Sequence, residues 1–140
     1  VLANCDDDVR ENLAMYGRNI GLAFQISDDV LDYTAESNEQ IGKNIGDDLS
    51  GGKITLPFIY AFQNCAEEKK HILKNIIQNR KIEDFMILRD IIFETDSIRL
   101  TEHKAKEYVS LAKKNLKVVE NSEIGSLLNF LAEFSINRKR

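Results

Sequence analysis

The chain lacks the features that mark membrane proteins and disulfide-rich secreted proteins. Its 140 residues contain one proline, no tryptophan and only two cysteines, Cys5 and Cys65. The cysteines have neither the spacing of a metal site nor the number of a disulfide framework, which favours a reducing compartment. No apolar run approaches the roughly 18 residues of a membrane span, and the first residues show no signal-peptide pattern. We therefore expect a cytoplasmic protein without a transmembrane segment.

Positive charge and metal-binding histidines are also scarce. Lysine and arginine total 19 against 23 aspartates and glutamates, which gives a net charge of −4 and a pI near 5.2. An acidic chain of this kind gives no support to nucleic-acid binding, which depends on clustered positive charge. His71 and His103 lack neighbours at the spacing of metal ligands, so we predict that both lie on the surface.

The shortage of glycine and proline, with little alternation of β-branched and polar residues, predicts an all-α fold. With 43% hydrophobic and 30% charged residues, the chain can build the core of one domain. Apolar periodicity and capping residues define the helices. They are predicted over about Val9–Tyr33, Thr55–Asn64, Glu67–Gln78 and Glu83–Glu94, then from Thr95–Ser97 to Val119 and from Asn121–Ser122 to Asn137. In the third of these helices, the residues expected to face inward are Ile72, Leu73, Ile76 and Ile77.

The first predicted helix is unusual because it is apolar around most of its circumference. A helix of this kind is expected to be surrounded on several sides. It also contains Gly17 and Gly21, each of which costs about 1 kcal/mol relative to alanine in a helix interior. Close approach of a neighbouring helix and room for a substrate are equally good explanations of these glycines.

Acidic residues are concentrated between Phe24 and Lys53. This stretch has seven carboxylates and two lysines, so its net charge of −5 exceeds that of the whole chain in magnitude. Within the predicted helix, four polar residues have helical offsets of 0, 3, 4 and 7 and share one face. They are Gln25, Asp28, Asp29 and Asp32.

Aspartates clustered near a helix C-terminus repel one another and oppose the helix dipole. A divalent cation would reverse this cost, and Mg²⁺ suits hard carboxylate oxygens that it shares with phosphates. Asp28, Asp29 and Asp32 are therefore the candidate Mg²⁺ ligands, although for a lone DDxxD a solvated helix end is the commoner case, and the segment that follows shifts the balance toward the metal site. The alternative is a solvated acidic helix end without a ligand.

The segment that follows, Ile41–Lys53, is rich in glycine and carries Lys43 and Lys53. Glycine allows a backbone to approach a ligand closely, and lysine is a compact cation for phosphate oxygens. The segment is not a P-loop, because the GxxxxGK[ST] pattern is absent. Taken alone, it would be interpreted as a flexible loop.

Taken together, these motifs resemble the second aspartate-rich region of trans-type polyprenyl diphosphate synthases. The similarity is greatest to the bacterial long-chain branch that includes octaprenyl diphosphate synthase. It extends from Tyr16 to Pro57, and beyond Ala61 it continues only as a matching order of helices. The motifs are Phe24-Gln-x-x-Asp-Asp-x-Leu-Asp32, Gly42-Lys43, Gly46-Asp-Asp48-Leu and Gly52-Lys53-x-Thr-Leu-Pro57.

The resemblance implies the C-terminal helices of an isoprenoid-synthase-type bundle and a Mg²⁺-assisted prenyltransferase. The family condenses an allylic prenyl diphosphate with isopentenyl diphosphate, and here the product would be a long chain for a quinone side chain. By position, Asp28 would ligate Mg²⁺, while Asp29 and Asp32 would hold its waters or neighbouring lysines. The substrate-binding residues implied by the resemblance are Phe24 for prenyl carbons, Gln25 near the reacting ends, Lys43 and Lys53 for the allylic diphosphate, and Asp48 for a metal-bound water.

Other parts of the family's active site have no counterpart in the 140 residues. A second DDxxD motif and the basic residues that bind isopentenyl diphosphate are missing from this sequence. The family is roughly twice as long and the chain begins with Val1, so we expect residues 1–140 to be the C-terminal portion of one synthase domain, in a homodimeric enzyme. The alternatives are a non-catalytic partner subunit, a helical module that binds Mg²⁺-diphosphate, and a class I terpene cyclase.

Overall fold

The computed structural model describes residues 5–35 and 45–137, and within them every regular element is a helix. This confirms the predicted all-α class. No helix in these two ranges combines the length and the apolar content needed to cross a membrane. The α-helices are α1 (Asp7–Thr34), α2 (Asp47–Ser50), α3 (Leu56–Asn64), α4 (Glu67–Asn79), α5 (Phe85–Glu94), α6 (Ser97–Asn115) and α7 (Glu123–Ile136), and short 3₁₀ turns span Ile82–Asp84 and Leu116–Val119.

The predicted helix boundaries hold to within about two residues, except at the end of the fifth predicted helix. There the α-helix ends at Asn115 and the chain tightens into a 3₁₀ turn up to Val119. The Val119 carbonyl accepts from both the backbone N–H and the hydroxyl of Ser122, at 3.1 and 2.7 Å. The Ser122 Oγ in turn accepts from the Gly125 N–H at 2.9 Å and caps α7. The predicted start of this helix at Ser122 is therefore confirmed.

The chain divides into two compact units, each with its own core. Among the described residues, the first unit comprises 5–25 and 104–137, and the second comprises 26–35 and 45–103. Helices α1 and α6 each contribute residues to both units. The core of the first unit contains Tyr16, Ala23, Val109, Ala112, Leu116 and Ala132. The core of the second unit contains Tyr33, Leu49, Phe58, Ala61, Leu73, Ile76, Phe85, Leu88, Ile91 and Ile92.

Helix α4 buries a narrower face than the sequence predicted. Leu73 and Ile76 are buried and Ile77 is partly buried, but Ile72 is 42% exposed. Residues 73, 76 and 77 form one stripe at helical spacing, and Ile72 lies beside this stripe. The assignment of Ile72 to the inward face was therefore wrong, while both histidines lie on the exposed surface as predicted.

The glycines of α1 have no close helical neighbour in the described part of the chain. A Cβ atom built at Gly17 or Gly21 would meet no described atom within 4 Å. Close packing of a described helix therefore does not explain these residues. Although Tyr16 and Val30 are buried, Leu22 and Phe24 on the same helix are exposed. The expectation that α1 is surrounded on several sides is met only in part within the described residues.

Candidate functional site

The three aspartates near the end of α1 differ in their exposure to solvent. Asp28 is partly exposed, Asp29 is buried, and Asp32 is fully buried at 0% exposure. The C-terminal end of the helix is fixed from the side by Arg89, whose Nε donates to the Tyr33 carbonyl oxygen at 2.8 Å. A cation at this position is favourable, because the last carbonyls of a helix carry partial negative charge.

The glycine-rich segment contains a one-turn helix that ends in a Schellman motif. The Lys53 N–H donates to the Asp48 carbonyl at 2.8 Å, and the Gly52 N–H donates to the Leu49 carbonyl at 2.9 Å. Gly52 has φ = 67°, a conformation that glycine adopts far more readily than other residues. Residues 46–53 belong to the segment that, taken alone, would be interpreted as a flexible loop, and they form a defined short helix and turn. In the described structure, Gly52 closes a turn whose hydrogen bond joins Asp48 to Lys53.

This turn brings the Lys53 ammonium between two buried carboxylates. Its Nζ lies 2.6 Å from Asp29 Oδ1 and 3.5 Å from Asp48 Oδ1. Burial alone would lower the pKa of Lys53, but the hydrogen bond that Lys53 donates to Asp29 and the charges of both aspartates raise this pKa overall. The side chain of Lys53 remains 45% exposed, so a charged ammonium is accessible beside the aspartates of α1.

A second contact links α1 to the chain just after the glycine-rich turn. The hydroxyl of Tyr33 on α1 and the hydroxyl of Thr55 share a hydrogen bond of 2.9 Å. Thr55 lies at the N-cap position of α3 with extended backbone angles, as predicted, but its side chain makes no cap bond. Burial raises the pKa of Tyr33, and the negative charges of Asp32, Asp48 and Asp29 raise it further against the opposing hydrogen bond from Thr55. Tyr33 is therefore a neutral hydroxyl at physiological pH.

The other predicted site residues differ in their exposure and in the unit to which they belong. Phe24 and Gln25 lie on α1 and belong to the first unit, and both are exposed, Phe24 at 43%. Asp47 is exposed at the start of α2, whereas its neighbour Asp48 is buried. The predicted phosphate ligand Lys43 lies outside the described residues.

The donor set suits a magnesium ion that keeps other ligands. Within residues 5–35 and 45–137, no three histidine, cysteine or carboxylate side chains converge to hold a cation by themselves. Mg²⁺ commonly binds through one or two carboxylates and completes its shell with waters and substrate phosphates. The partly exposed Asp28, next to the Asp29–Lys53 pair, fits this mode of binding. The assignment of Asp28, Asp29 and Asp32 as metal ligands stays a prediction.

Sequence reasoning missed the residues that support the site. Tyr33, Thr55 and Arg89 carry no charge pattern of their own, and their partners lie 22 and 56 positions away. Thr55 was recognised as the start of a helix and as part of the Gly52–Pro57 motif, but not as a partner of Tyr33. The one available signal was the position of Tyr33 four residues after Asp29, which places both on the same side of α1.

Comparison with known proteins identifies the family. Residues 1–92 match the polyprenyl synthetase family model. The chain belongs to the polyprenyl synthetase family. It is 33% identical over 141 residues to octaprenyl diphosphate synthase of Escherichia coli K12. It is 34% identical over 140 residues to the chloroplastic solanesyl-diphosphate synthase 2 of Oryza sativa subsp. japonica. The resemblance to polyprenyl diphosphate synthases inferred from the motifs is thus confirmed.

Solved structures give the same fold. A polyprenyl synthase of Caulobacter crescentus CB15, crystallised with calcium and isoprenyl diphosphate, matches with a TM-score of 0.89 and 34% identity. The match covers 99% of this chain and 42% of that protein. The chain likewise covers 43% of the bacterial relative and 33% of the plant relative. The polyprenyl synthetase chain described here therefore spans well under half the length of the relatives it matches.

Proposed function

We propose that this chain is the C-terminal portion of a polyprenyl diphosphate synthase that elongates an allylic diphosphate with isopentenyl diphosphate. The observation that carries the proposal is the placement of Lys53 between Asp29 and Asp48 in a chain of this family, where Asp28 directly precedes Asp29. In the proposed reaction the allylic C–O bond ionises and releases pyrophosphate, and the alkene of isopentenyl diphosphate attacks the resulting carbocation. The released pyrophosphate accepts the proton that is lost as the new double bond forms. Separation of diphosphate from a carbocation is the demanding step, because opposite charges develop at the bond that breaks.

Lys53 is the group in the described site that can bind an anionic leaving group. Its ammonium is charged and accessible, and Asp29 holds it at 2.6 Å while Asp48 stands at 3.5 Å. A lysine offers three donors on a flexible stem, which suits diphosphate oxygens. The buried aspartates orient Lys53, and Lys53 offsets part of their negative charge where a diphosphate has to approach.

Asp28, Asp29 and Asp32 would hold Mg²⁺, with Asp28 in direct contact. When bound, Mg²⁺ supplies Lewis-acid stabilisation of the negative charge that develops on the diphosphate. Phe24 would pack against prenyl carbons and Gln25 would donate a hydrogen bond near the reacting ends. Lys43 would be a second cation for the allylic diphosphate.

The proposal includes a long-chain product, a homodimeric enzyme and a cytoplasmic location. The product class is supported by the octaprenyl and solanesyl synthases among the relatives. The location is supported by Cys5 and Cys65, both of which are free thiols. The homodimer comes from the family resemblance alone.

The 140-residue chain alone is expected to show no chain elongation, because a second DDxxD motif and the isopentenyl diphosphate site are not within this sequence. The measurement is incorporation of labelled isopentenyl diphosphate into extractable prenyl products, with the Escherichia coli enzyme as positive control. Turnover by the purified chain would contradict the assignment of a half site.

The chain should nevertheless bind inorganic pyrophosphate in the presence of Mg²⁺, and Lys53→Ala should weaken this binding about tenfold or more. Hydrogen bonds to charged groups are worth about 1.5–3 kcal/mol. Lys53→Arg should restore part of the affinity, since the charge is kept while its reach and donor geometry change. Isothermal titration calorimetry measures the affinity for pyrophosphate of the unaltered chain, Lys53→Ala and Lys53→Arg.

Lys104→Ala is the matched control, because Lys104 is a lysine that is also paired with a carboxylate, that of Glu107, and it belongs to the first unit. The affinity of the Lys104→Ala variant for pyrophosphate should equal that of the unaltered chain. If both alanine variants weaken pyrophosphate binding equally, Lys53 contributes only through the net charge of the chain and not through a specific contact. Absence of pyrophosphate binding by the unaltered chain would contradict the proposed function itself.

A further inference from the structure

Two side-chain contacts connect α1 to the segment that precedes α3. The spacing between the two contacts is nearly the same along each of these segments. On α1, Asp29 and Tyr33 are four residues apart, which is about 6 Å along a helix axis. In the segment before α3, Lys53 and Thr55 are two residues apart, which is about 6.6 Å along an extended chain. The distances match, so Asp29 meets Lys53 at 2.6 Å while Tyr33 meets Thr55 at 2.9 Å.

Of the two contacts, the hydroxyl pair is the more firmly held. Tyr33 and Thr55 are only 2% and 1% exposed, whereas the Lys53 side chain is 45% exposed. The Tyr33 ring stacks on Phe85 with centroids 5.9 Å apart, and its carbonyl accepts from Arg89. Tyr33 is thus fixed at its ring, its backbone and its hydroxyl, and its position on α1 is defined independently of Lys53.

The hydroxyl of Thr55 bonds to Tyr33 and does not cap α3. A threonine at the N-cap normally accepts from a backbone N–H of the first helical turn. Here its side chain makes no cap bond, and its hydroxyl pairs with Tyr33. The backbone of Thr55 is extended, with φ = −92° and ψ = 166°, and Lys53, two residues earlier, reaches Asp29 on α1.

We propose that Tyr33 and Thr55 are positioning residues that set the Lys53 ammonium opposite Asp29 and Asp48, and so fix where an anionic substrate meets it. This inference rests on the proposed function for the identity of the anion. The hydroxyl pair touches no substrate and acts through Lys53. Without it, the four-carbon stem of Lys53 samples many rotamers, and the ammonium has to be ordered again each time it binds an anion.

The first test needs no ligand. In the ¹³C-edited NOESY spectrum of the full 140-residue chain, cross-peaks between the Lys53 Hε and Asp29 Hβ protons should be strong. Thr55→Val, which keeps the branched shape and removes the hydroxyl, should weaken them severalfold, and Thr55→Ser should restore them. Thr101→Val is the matched control, since Thr101 is fully buried in the same unit and its hydroxyl donates to the Ser97 carbonyl within α6. Unchanged cross-peaks in Thr55→Val would overturn the proposal.

The second test asks whether Thr55 acts through Lys53. Thr55→Val should weaken Mg²⁺-dependent pyrophosphate binding about three- to tenfold in the unaltered background. In a Lys53→Ala background the same substitution should change the affinity by less than twofold, because the group being positioned is gone. Equal weakening in both backgrounds would show a general structural role and overturn the proposal.

Failure of this inference and failure of the proposed function give different results. A chain that does not bind pyrophosphate but loses its Lys53–Asp29 cross-peaks in Thr55→Val contradicts the function and supports the positioning. If Thr55→Val does not fold, the double variant Tyr33→Phe/Thr55→Val removes both hydroxyls and leaves neither one buried alone. It should reproduce the loss of cross-peaks, and retention of them in that variant would overturn the proposal.

Discussion

Replacing Asp28 by alanine in the complete synthase is expected to lower kcat about 100- to 1000-fold, whereas Asp47→Ala should leave kcat nearly unchanged. Under the proposed function Asp28 contacts the metal directly, and removing a single electrostatic contributor to a transition state commonly costs about 3–4 kcal/mol. Asp47 is exposed at the start of α2, one residue before the buried Asp48 that approaches Lys53. The two substitutions remove the same charge, so their comparison isolates position from net charge.

The measurement is steady-state elongation of an allylic diphosphate at saturating Mg²⁺, with circular dichroism to show that both variants keep their helices. Asp28→Asn is a second test that preserves side-chain size and should lose nearly as much kcat as Asp28→Ala. Near-normal kcat in both Asp28 variants would remove Asp28 from the metal site. Equal losses in Asp28→Ala and Asp47→Ala would point to overall charge instead of ligation.

The sequence was sufficient to predict the aspartate face, because helical periodicity is a local property. Asp28, Asp29 and Asp32 follow one another within little more than a turn of α1. Which of them meets Lys53 could not be predicted, since that contact joins residues 24 positions apart and depends on how the intervening chain closes. The structure pairs Lys53 with Asp29, and this specific pairing appears in no local pattern.

The segment around Gly52 shows a second limit of local patterns. Helix α2 has only four residues, too few for a hydrophobic period to indicate a helix. A signal was nevertheless present, because two glycines directly after Asp47–Ser50 are typical of a helix C-terminus. Interpreting them as ligand-binding glycines missed the motif that orients Lys53.

Longer helices were better predicted, because capping residues mark their ends. Ser122 begins α7 as expected, and Pro57 lies in the first turn of α3. The early end of α6 was missed although the contacts at this turn are local: the Val119 carbonyl accepts from the Ser122 hydroxyl three residues later, and that hydroxyl caps the next helix. Periodicity continues through this turn and does not reveal it.

The turn between Val119 and Ser122 is also the basis of the largest expected effect on stability, which is that of Gly125→Ala. By helix propensity alone, alanine in place of a glycine in the first turn of α7 should stabilise the helix by up to about 1 kcal/mol. However, a Cβ at Gly125 would lie 2.1 Å from the Val119 carbonyl oxygen and 2.9 Å from its carbon. Backbone atoms cannot rotate away as the end of a flexible side chain can. Relief requires moving Val119, whose carbonyl accepts two bonds from Ser122, so the cap of α7 is lost as well.

We therefore expect Gly125→Ala to destabilise the chain by about 3 kcal/mol, the upper range for overpacking, measured by urea denaturation of the 140-residue protein. Gly17→Ala is the matched control in the same unit, because a Cβ there meets no described atom within 4 Å. That substitution should follow propensity and stabilise the chain by about 1 kcal/mol. The opposite signs of the two changes separate backbone crowding from helix propensity. Stabilisation by Gly125→Ala would show that Val119 and Ser122 can move to accommodate the Cβ atom without a loss in the free energy of unfolding.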